Sequence, residues 1–157
     1  MTAKRPSVDE PYSKDRVDRW VAGELTLAEL DGFSDADLKQ IAVTGHRLVE
    51  TGQLGDAAII FKGLVALSPK VSYFHTALGA IALAAGNLDD ATARLDEALA
   101  LDETNAEALV HRGEVRLLRG LVKEATADLT VAIALDAGKE RACTQRARGL
   151  LSSVRTG

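Results

Sequence analysis

Glycine recurs at a strict 34-residue interval, at Gly45, Gly79 and Gly113, and a second ladder, Gly52, Gly86 and Gly120, keeps the same step. Three further ladders share the register: Ala57, Ala91 and Ala125; Phe61, Leu95 and Leu129; Leu67, Leu101 and Leu135. A fixed period of this length means stacked repeats, each too small to bury its own apolar face. Such a chain reads as a binding scaffold rather than a catalyst.

The repeats run as 38–71, 72–105 and 106–137, which makes 38–137 one array. Each divides at its second glycine into a helix A and a helix B. The pattern predicts helices near 38–51, 55–67, 72–85, 89–101, 106–119 and 123–135. Gly52, Gly86 and Gly120 stand just past helix A, where a left-handed residue closes a helix. Gly45, Gly79 and Gly113 fall inside helix A, where glycine costs about 1 kcal/mol relative to alanine. Three such costs at one phase predict close approach of helix B, with Ala57, Ala91 and Ala125 as the small partners.

Residues 1–13 read as a mobile leader and 14–37 as an N-terminal helical extension. Ser13 is placed to cap a short helix whose Val17, Trp20 and Val21 form an apolar stripe. Gly23 ends it, and Leu27 and Leu30 suggest another turn before Gly32. Ser34 followed by Asp37 has the spacing of a capping box, with Phe33 placed to staple onto Leu38. Residues 138–157 read as a C-terminal capping helix and tail, with Arg141, Arg146, Arg148 and Arg155 on its wet side.

Other function classes find little support. The net charge is −4 with signs interspersed, so no basic stripe marks a nucleic-acid surface. No apolar run approaches a membrane span, and no secretory h-region is seen. Cys143 is the single cysteine, which excludes an internal disulfide and fits a cytoplasmic location. It also lacks a neighbouring base for nucleophilic chemistry. His46, His75 and His111 occupy different phases of their repeats, so they do not converge as metal ligands. Asp89 and Asp90 read as helix N-terminal carboxylates. No cofactor, metal or catalytic constellation is expected.

The repeat matches the tetratricopeptide pattern in unit one at Gly45, Leu48, Gly52, Ala57, Phe61 and Pro69, with Ile41 in the Trp slot. Units two and three carry Leu95 and Leu129 for Phe, and Glu103 and Ala137 for Pro. The fold class expected is all-α: a tetratricopeptide-repeat superhelix of three helix-turn-helix repeats, with the N-terminal extension and C-terminal helix at its ends. A narrower likeness begins upstream. Gly23-Glu-Leu-Thr-Leu-Ala-Glu-Leu30 and Gly32-Phe-Ser-Asp-Ala-Asp-Leu38 lead into Ala57-Ala-Ile-Ile-Phe61, Leu64-Val-Ala-Leu67 and Pro69, then Phe74 and Leu78-Gly79-Ala80. This resembles the class II type III secretion chaperones, which guard hydrophobic translocator proteins.

The resemblance implies a cytoplasmic chaperone, not an enzyme, whose concave groove binds an extended segment of a translocator client. It also implies a homodimer formed through the N-terminal region, here Val17, Trp20 and Val21. By phase, helix A of unit one gives the groove Lys39, Ala42, His46 and Val49. Unit two gives Tyr73, Thr76, Ala80 and Leu83, and unit three Glu107, Val110, Glu114 and Leu117. The family tends to carry aromatics on helix A of repeat one, where this chain has Ala42, His46 and Val49. Some tetratricopeptide domains clamp a terminal carboxylate with lysine and asparagine on helix A; the matching phase here, Ala42, His46, Thr76, Ala80, Val110 and Glu114, carries neither a cationic pair nor an asparagine. The alternative is a generic tetratricopeptide adaptor that assembles a protein complex without chaperoning. Neither reading calls for nucleic acid or membrane insertion.

Overall fold

In the computed structural model, residues 12–138 and 140–155 are described, and among them nine helices and no strand are found. The expected leader lies outside the described residues except for Tyr12 and Ser13. The chain divides into two compact units, Met1–Lys70 and Val71–Gly157.

The first unit holds α1 (Lys14–Val21), α2 (Leu27–Leu30), α3 (Asp35–Glu50) and α4 (Leu54–Leu67). Each of the first three starts where a side chain satisfies the free amides of the first turn. Ser13 accepts from Arg16 N in α1. Thr26 with Glu29, and Ser34 with Asp37, form complete capping boxes in α2 and α3. α1 is tied to α2 by polar contacts: Arg16 donates to the Glu29 and Leu30 carbonyls, and the Tyr12 hydroxyl donates to Asp31 at 2.6 Å. α3 and α4 pack as a hairpin around Leu38, Ala57, Phe61 and Leu64, all buried. Phe33, expected as a staple, is instead exposed.

The second unit holds α5 (Ser72–Ala84), α6 (Leu88–Leu101), α7 (Ala106–Leu118), α8 (Val122–Leu135) and α9 (Ala142–Arg155). α5 packs on α6, α7 on α8, and α9 on both α7 and α8. Its core runs through two connected groups. Ala82, Ala91, Leu95, Ala98, Ala108 and Val115 form one, and Ala106, Leu109, Val110, Leu129, Ala132 and Ala147 the other. Full burial of one such leucine contributes about 1.5–3 kcal/mol.

The helix-A glycines make the close approach expected of them, but with different partners. A Cβ on Gly45 would meet the Phe61 ring at 2.7 Å, one on Gly79 would meet Leu95 at 2.6 Å, and one on Gly113 would meet Leu129 at 2.8 Å. The notch in helix A therefore receives the large residue of helix B, not the alanine. Ala57, Ala91 and Ala125 are fully buried, and the Ala125 carbonyl lies 3.5 Å from the Gly113 position. The other glycine ladder behaves as expected: Gly86 takes φ +78° past the end of α5, and Gly52 and Gly120 match it.

α9 begins at Ala142, four residues after the start of the 138–157 segment expected to hold it. The delay comes from Asp136, whose buried carboxylate accepts from the Arg141 backbone amide, the Arg141 side chain and the Thr144 hydroxyl. This knot ties the turn before α9 to its first residues. Arg146 and Arg148 are exposed as expected, and the Arg155 side chain lies outside the described residues.

Candidate peptide-binding face

Helix A of each repeat supplies a candidate face within its own unit. In the first unit α3 presents Lys39 exposed, His46 and Val49 half-buried, and Ala42 buried. His46 stands edge-on to Phe61, with ring centroids 5.2 Å apart. Its ring therefore helps cover the side chain that fills the Gly45 notch.

In the second unit the face is built from α5 and α7, which touch, and from α9 against α7. Tyr73 is 40% exposed and stacks at a tilt on buried Phe74, 5.8 Å away. Partial burial pushes its phenol pKa up, and the Glu107 carboxylate adds to the shift. The phenol thus stays a neutral hydrogen-bond donor. Ala80, Leu83 and Leu117 are half-buried along the same two helices. They offer apolar surface without large protruding side chains, and aromatic or aliphatic area of this kind suits an extended peptide.

Three residues expected to line the face belong to the interior, Ala42 of α3 among them at 4% exposed. Val110 is 1% exposed and sits in the core beside Leu129 and Ala147. Thr76 is 2% exposed, donates to the Ser72 carbonyl at 3.0 Å and accepts from Asn105 Nδ2 at 3.0 Å. Its phase points inward because α7 stacks directly on it. Glu114 is half-buried and its carboxylate is taken by the guanidinium of Arg146 at 2.6–2.7 Å.

Several organising residues were not picked out from the pattern. Asn105 caps α7 through Ala108 N and also donates to Ser72 Oγ at 2.8 Å, joining the starts of α5 and α7. Its N-cap role was readable from its place before a helical run; its lateral bonds depend on the stacking. Asp128, on α8 and buried, receives Arg112 through two bonds of 2.9 and 2.8 Å and Arg116 at 2.7 Å. Arg112 also donates to Asp96 at 2.8 Å, which links α6, α7 and α8. Hydrogen bonding to Asp128 holds the Arg112 guanidinium more firmly protonated than usual.

The histidines are scattered. His75 is buried with Nδ1 3.0 Å from Glu97, and His111 Nε2 lies 3.9 Å from Glu107. Among the described residues no three His, Cys, Asp or Glu side chains gather as metal ligands, and no helix is long and apolar enough to cross a membrane.

This arrangement has solved counterparts. The structure of SycD, the type III secretion translocator chaperone of Yersinia enterocolitica, superposes with a TM-score of 0.74 at 27% identity, over 82% of this chain and 97% of that one. The chain groups with the type III secretion translocator chaperones. SycD solved in complex with a peptide of the translocator YopD gives a TM-score of 0.69 at 26% identity, over 78% and 95% of the two chains. PcrH of Pseudomonas aeruginosa, solved with the chaperone binding region of PopD, gives 0.70 at 25% identity, over 80% and 96%. No family model and no curated protein sequence matches the chain.

Like these translocator chaperones, the chain is built of all-α tetratricopeptide-type hairpins, as the glycine ladders predicted. The upstream Thr26-Leu-Ala-Glu-Leu30 stretch that carried the narrower likeness is the capped helix α2, with Ala28 and Leu30 buried.

Proposed function

We propose that this chain is a type III secretion chaperone that captures an extended segment of a hydrophobic translocator client along its helix-A faces. The observation that carries the reading is the run of small and aliphatic half-buried residues, Ala80, Leu83 and Leu117, set beside the exposed phenol of Tyr73. Chaperones of the same fold have been solved with translocator peptides, which supports the same ligand class here. On repeat one, Lys39, His46 and Val49 are assigned the corresponding role, with Ala42 buried beneath them. Thr76 and Val110 act beneath the face as its support rather than as contacts, since neither has surface to give.

The mechanism is stoichiometric and non-catalytic. An aggregation-prone segment loses its exposed apolar surface to the chaperone and is held until export. Tyr73 gives one rigid aromatic contact and one hydrogen bond to the client backbone. The place of action is the cytoplasm, and the working state is a homodimer formed through the apolar stripe of α1.

Ala80→Trp tests the site. It fills the space a client side chain would take and leaves Gly79, which packs on Leu95, unchanged. Titration calorimetry with an extended peptide rich in Leu, Val and Pro should show binding to the wild type and at least tenfold weaker binding to the variant. Circular dichroism reports that the variant is folded. A folded Ala80→Trp protein with wild-type affinity would place the client elsewhere.

A further inference from the structure

α5 opens without a side-chain cap of its own: Val71 stands at its N-cap position and gives the first turn no hydrogen bond. A first turn held only by its own backbone frays readily, and Tyr73 belongs to that turn. The support comes from the next repeat. Asn105, the N-cap of α7, accepts from Ala108 N through Oδ1. That bond fixes the amide, so both Nδ2 hydrogens are given to α5. One goes to Ser72 Oγ at 2.8 Å and the other to Thr76 Oγ1 at 3.0 Å. Ser72 in turn donates to the Ala98 carbonyl of α6 at 2.8 Å, and Thr76 donates to the Ser72 carbonyl. Each hydrogen of the amide and of the two hydroxyls therefore has an acceptor. The repeat itself does not demand this arrangement, because 34 residues upstream the place of Asn105 is taken by Val71.

We propose that Asn105 is the positioning residue of the client-binding face: by gripping Ser72 and Thr76 it holds Tyr73 in the place from which the phenol meets the client. The inference rests on the helix-A reading and deepens it. Ser72 and Thr76 lie one residue before and three residues after Tyr73, so the two bonds bracket its turn. On the facing helix Asn105 stands two residues before Glu107, whose carboxylate acts on the Tyr73 phenol. Asn105 is half-buried and has no need to touch the client, since it acts through Tyr73. A ring held in place before the client arrives loses less freedom on binding, which strengthens the complex without a new contact. The role requires an amide. Serine at this place keeps an N-cap oxygen but lacks the reach, and aspartate keeps the oxygen but has no hydrogen to give.

The test is a double-mutant cycle read by titration calorimetry with the extended peptide rich in Leu, Val and Pro. Asn105→Ser removes both bonds to α5 and keeps the cap of α7. Thr76→Val deletes one of the two acceptors and keeps the side-chain shape, so it carries the test if Asn105→Ser does not fold. Asn105→Ser should weaken binding about fivefold and Tyr73→Ala about tenfold, while the double variant should bind no more weakly than Tyr73→Ala alone. Thr76→Val should show a smaller loss with the same non-additivity. A second readout follows the phenol itself. With Tyr12→Phe in the background Tyr73 is the single tyrosine, and its titration by absorbance should fall toward the ordinary 10.0 in Asn105→Ser. Additive losses, wild-type affinity in the folded Asn105→Ser or Thr76→Val variant, or an unmoved phenol titration would overturn the positioning role and leave the helix-A reading standing. A peptide that does not bind the wild type, or that binds Tyr73→Ala as tightly, would overturn the helix-A reading at Tyr73 and this inference with it.

Discussion

Leu95 fills the space that a side chain on Gly79 would need: a Cβ there would lie 2.6 Å from Leu95 Cγ and 2.8 Å from Cδ2. The two residues are sixteen apart in sequence, and Gly45 with Phe61 and Gly113 with Leu129 repeat the spacing. A notch on one helix and a large residue on the next set the distance between them. The three glycines offset their low helix propensity through this contact.

Gly79→Leu should therefore be destabilising by about 1–3 kcal/mol through overpacking. Gly79→Ala should cost less, because better helix propensity returns about 1 kcal/mol. Thermal or urea unfolding measures both. Unchanged stability in the leucine variant would mean that α5 and α6 do not pack as described.

Asp128 makes a different kind of demand. It is 5% exposed and faces two guanidiniums, Arg112 and Arg116. Removing it leaves partly buried Arg116 without its carboxylate and Arg112 with Asp96 alone, which is expensive even where the intact network adds little net stability. Asp128→Ala should lose about 2–4 kcal/mol. Arg112→Ala in the Asp128→Ala background should cost less than Arg112→Ala alone, since the guanidinium it removes has already lost its two bonds to Asp128. Additive losses in that double-mutant cycle would show that the pair is not coupled.

The contrast between these two contacts explains what could be read from the chain. A notch repeated three times leaves a periodic mark, so the repeat helices and the left-handed glycines were legible, and the capping box at Ser34 was legible from its own local spacing. The ladder also signalled close packing, but periodicity alone did not say whether alanine or the larger residue filled the gap. Asp128 occurs once. Its partners lie twelve and sixteen residues away, on a helix whose orientation only the hairpin determines. Thr76 shows the same limit: helical phase placed it on the binding face, while the stacking of α7 and the reach of Asn105 turned it into support. The hollow that Glu107, Val110 and His111 of α7 form with Ala142, Cys143 and Arg146 of α9 needed α9 in place, and no repeat pattern positions that helix.

Asp136 carries a pH signature. The Thr144 hydroxyl, then the Arg141 side chain and backbone, hold its carboxyl at about 2, below the ordinary 3.8, against the opposing effect of burial. The folded state thus binds fewer protons than the unfolded chain between these values. The stabilisation is present above about pH 4 and is lost as pH falls toward 2. Glu29, lowered by its capping bonds from Thr26, acts in the same direction, so the comparison of variants carries the test. Asp136→Asn should be less stable than wild type at pH 7, and the gap should narrow steadily between pH 4 and 2. Urea titrations across that range measure it. A constant gap would mean that the Asp136 charge is not what the knot uses.

The stripe on α1 is the place to test the dimer. Trp20 is 42% exposed, Val21 74% and Tyr12 65%, while Val17 is half-buried. A tryptophan left this open on a short helix is costly surface in a monomer and a strong anchor in an interface. Deleting 14–33 as a block would be a poor experiment, because Ala28 and Leu30 of α2 are buried and α2 packs on α4. Trp20→Glu leaves that packing alone: α1 has no buried residue, and Arg16 still reaches the Glu29 and Leu30 carbonyls. The variant should be a folded monomer by light scattering at concentrations where the wild type is a dimer. Its circular dichroism spectrum should be unchanged. A Trp20→Glu protein that dimerises with wild-type affinity would move the interface off α1, and the exposure of Trp20 would then need a different partner.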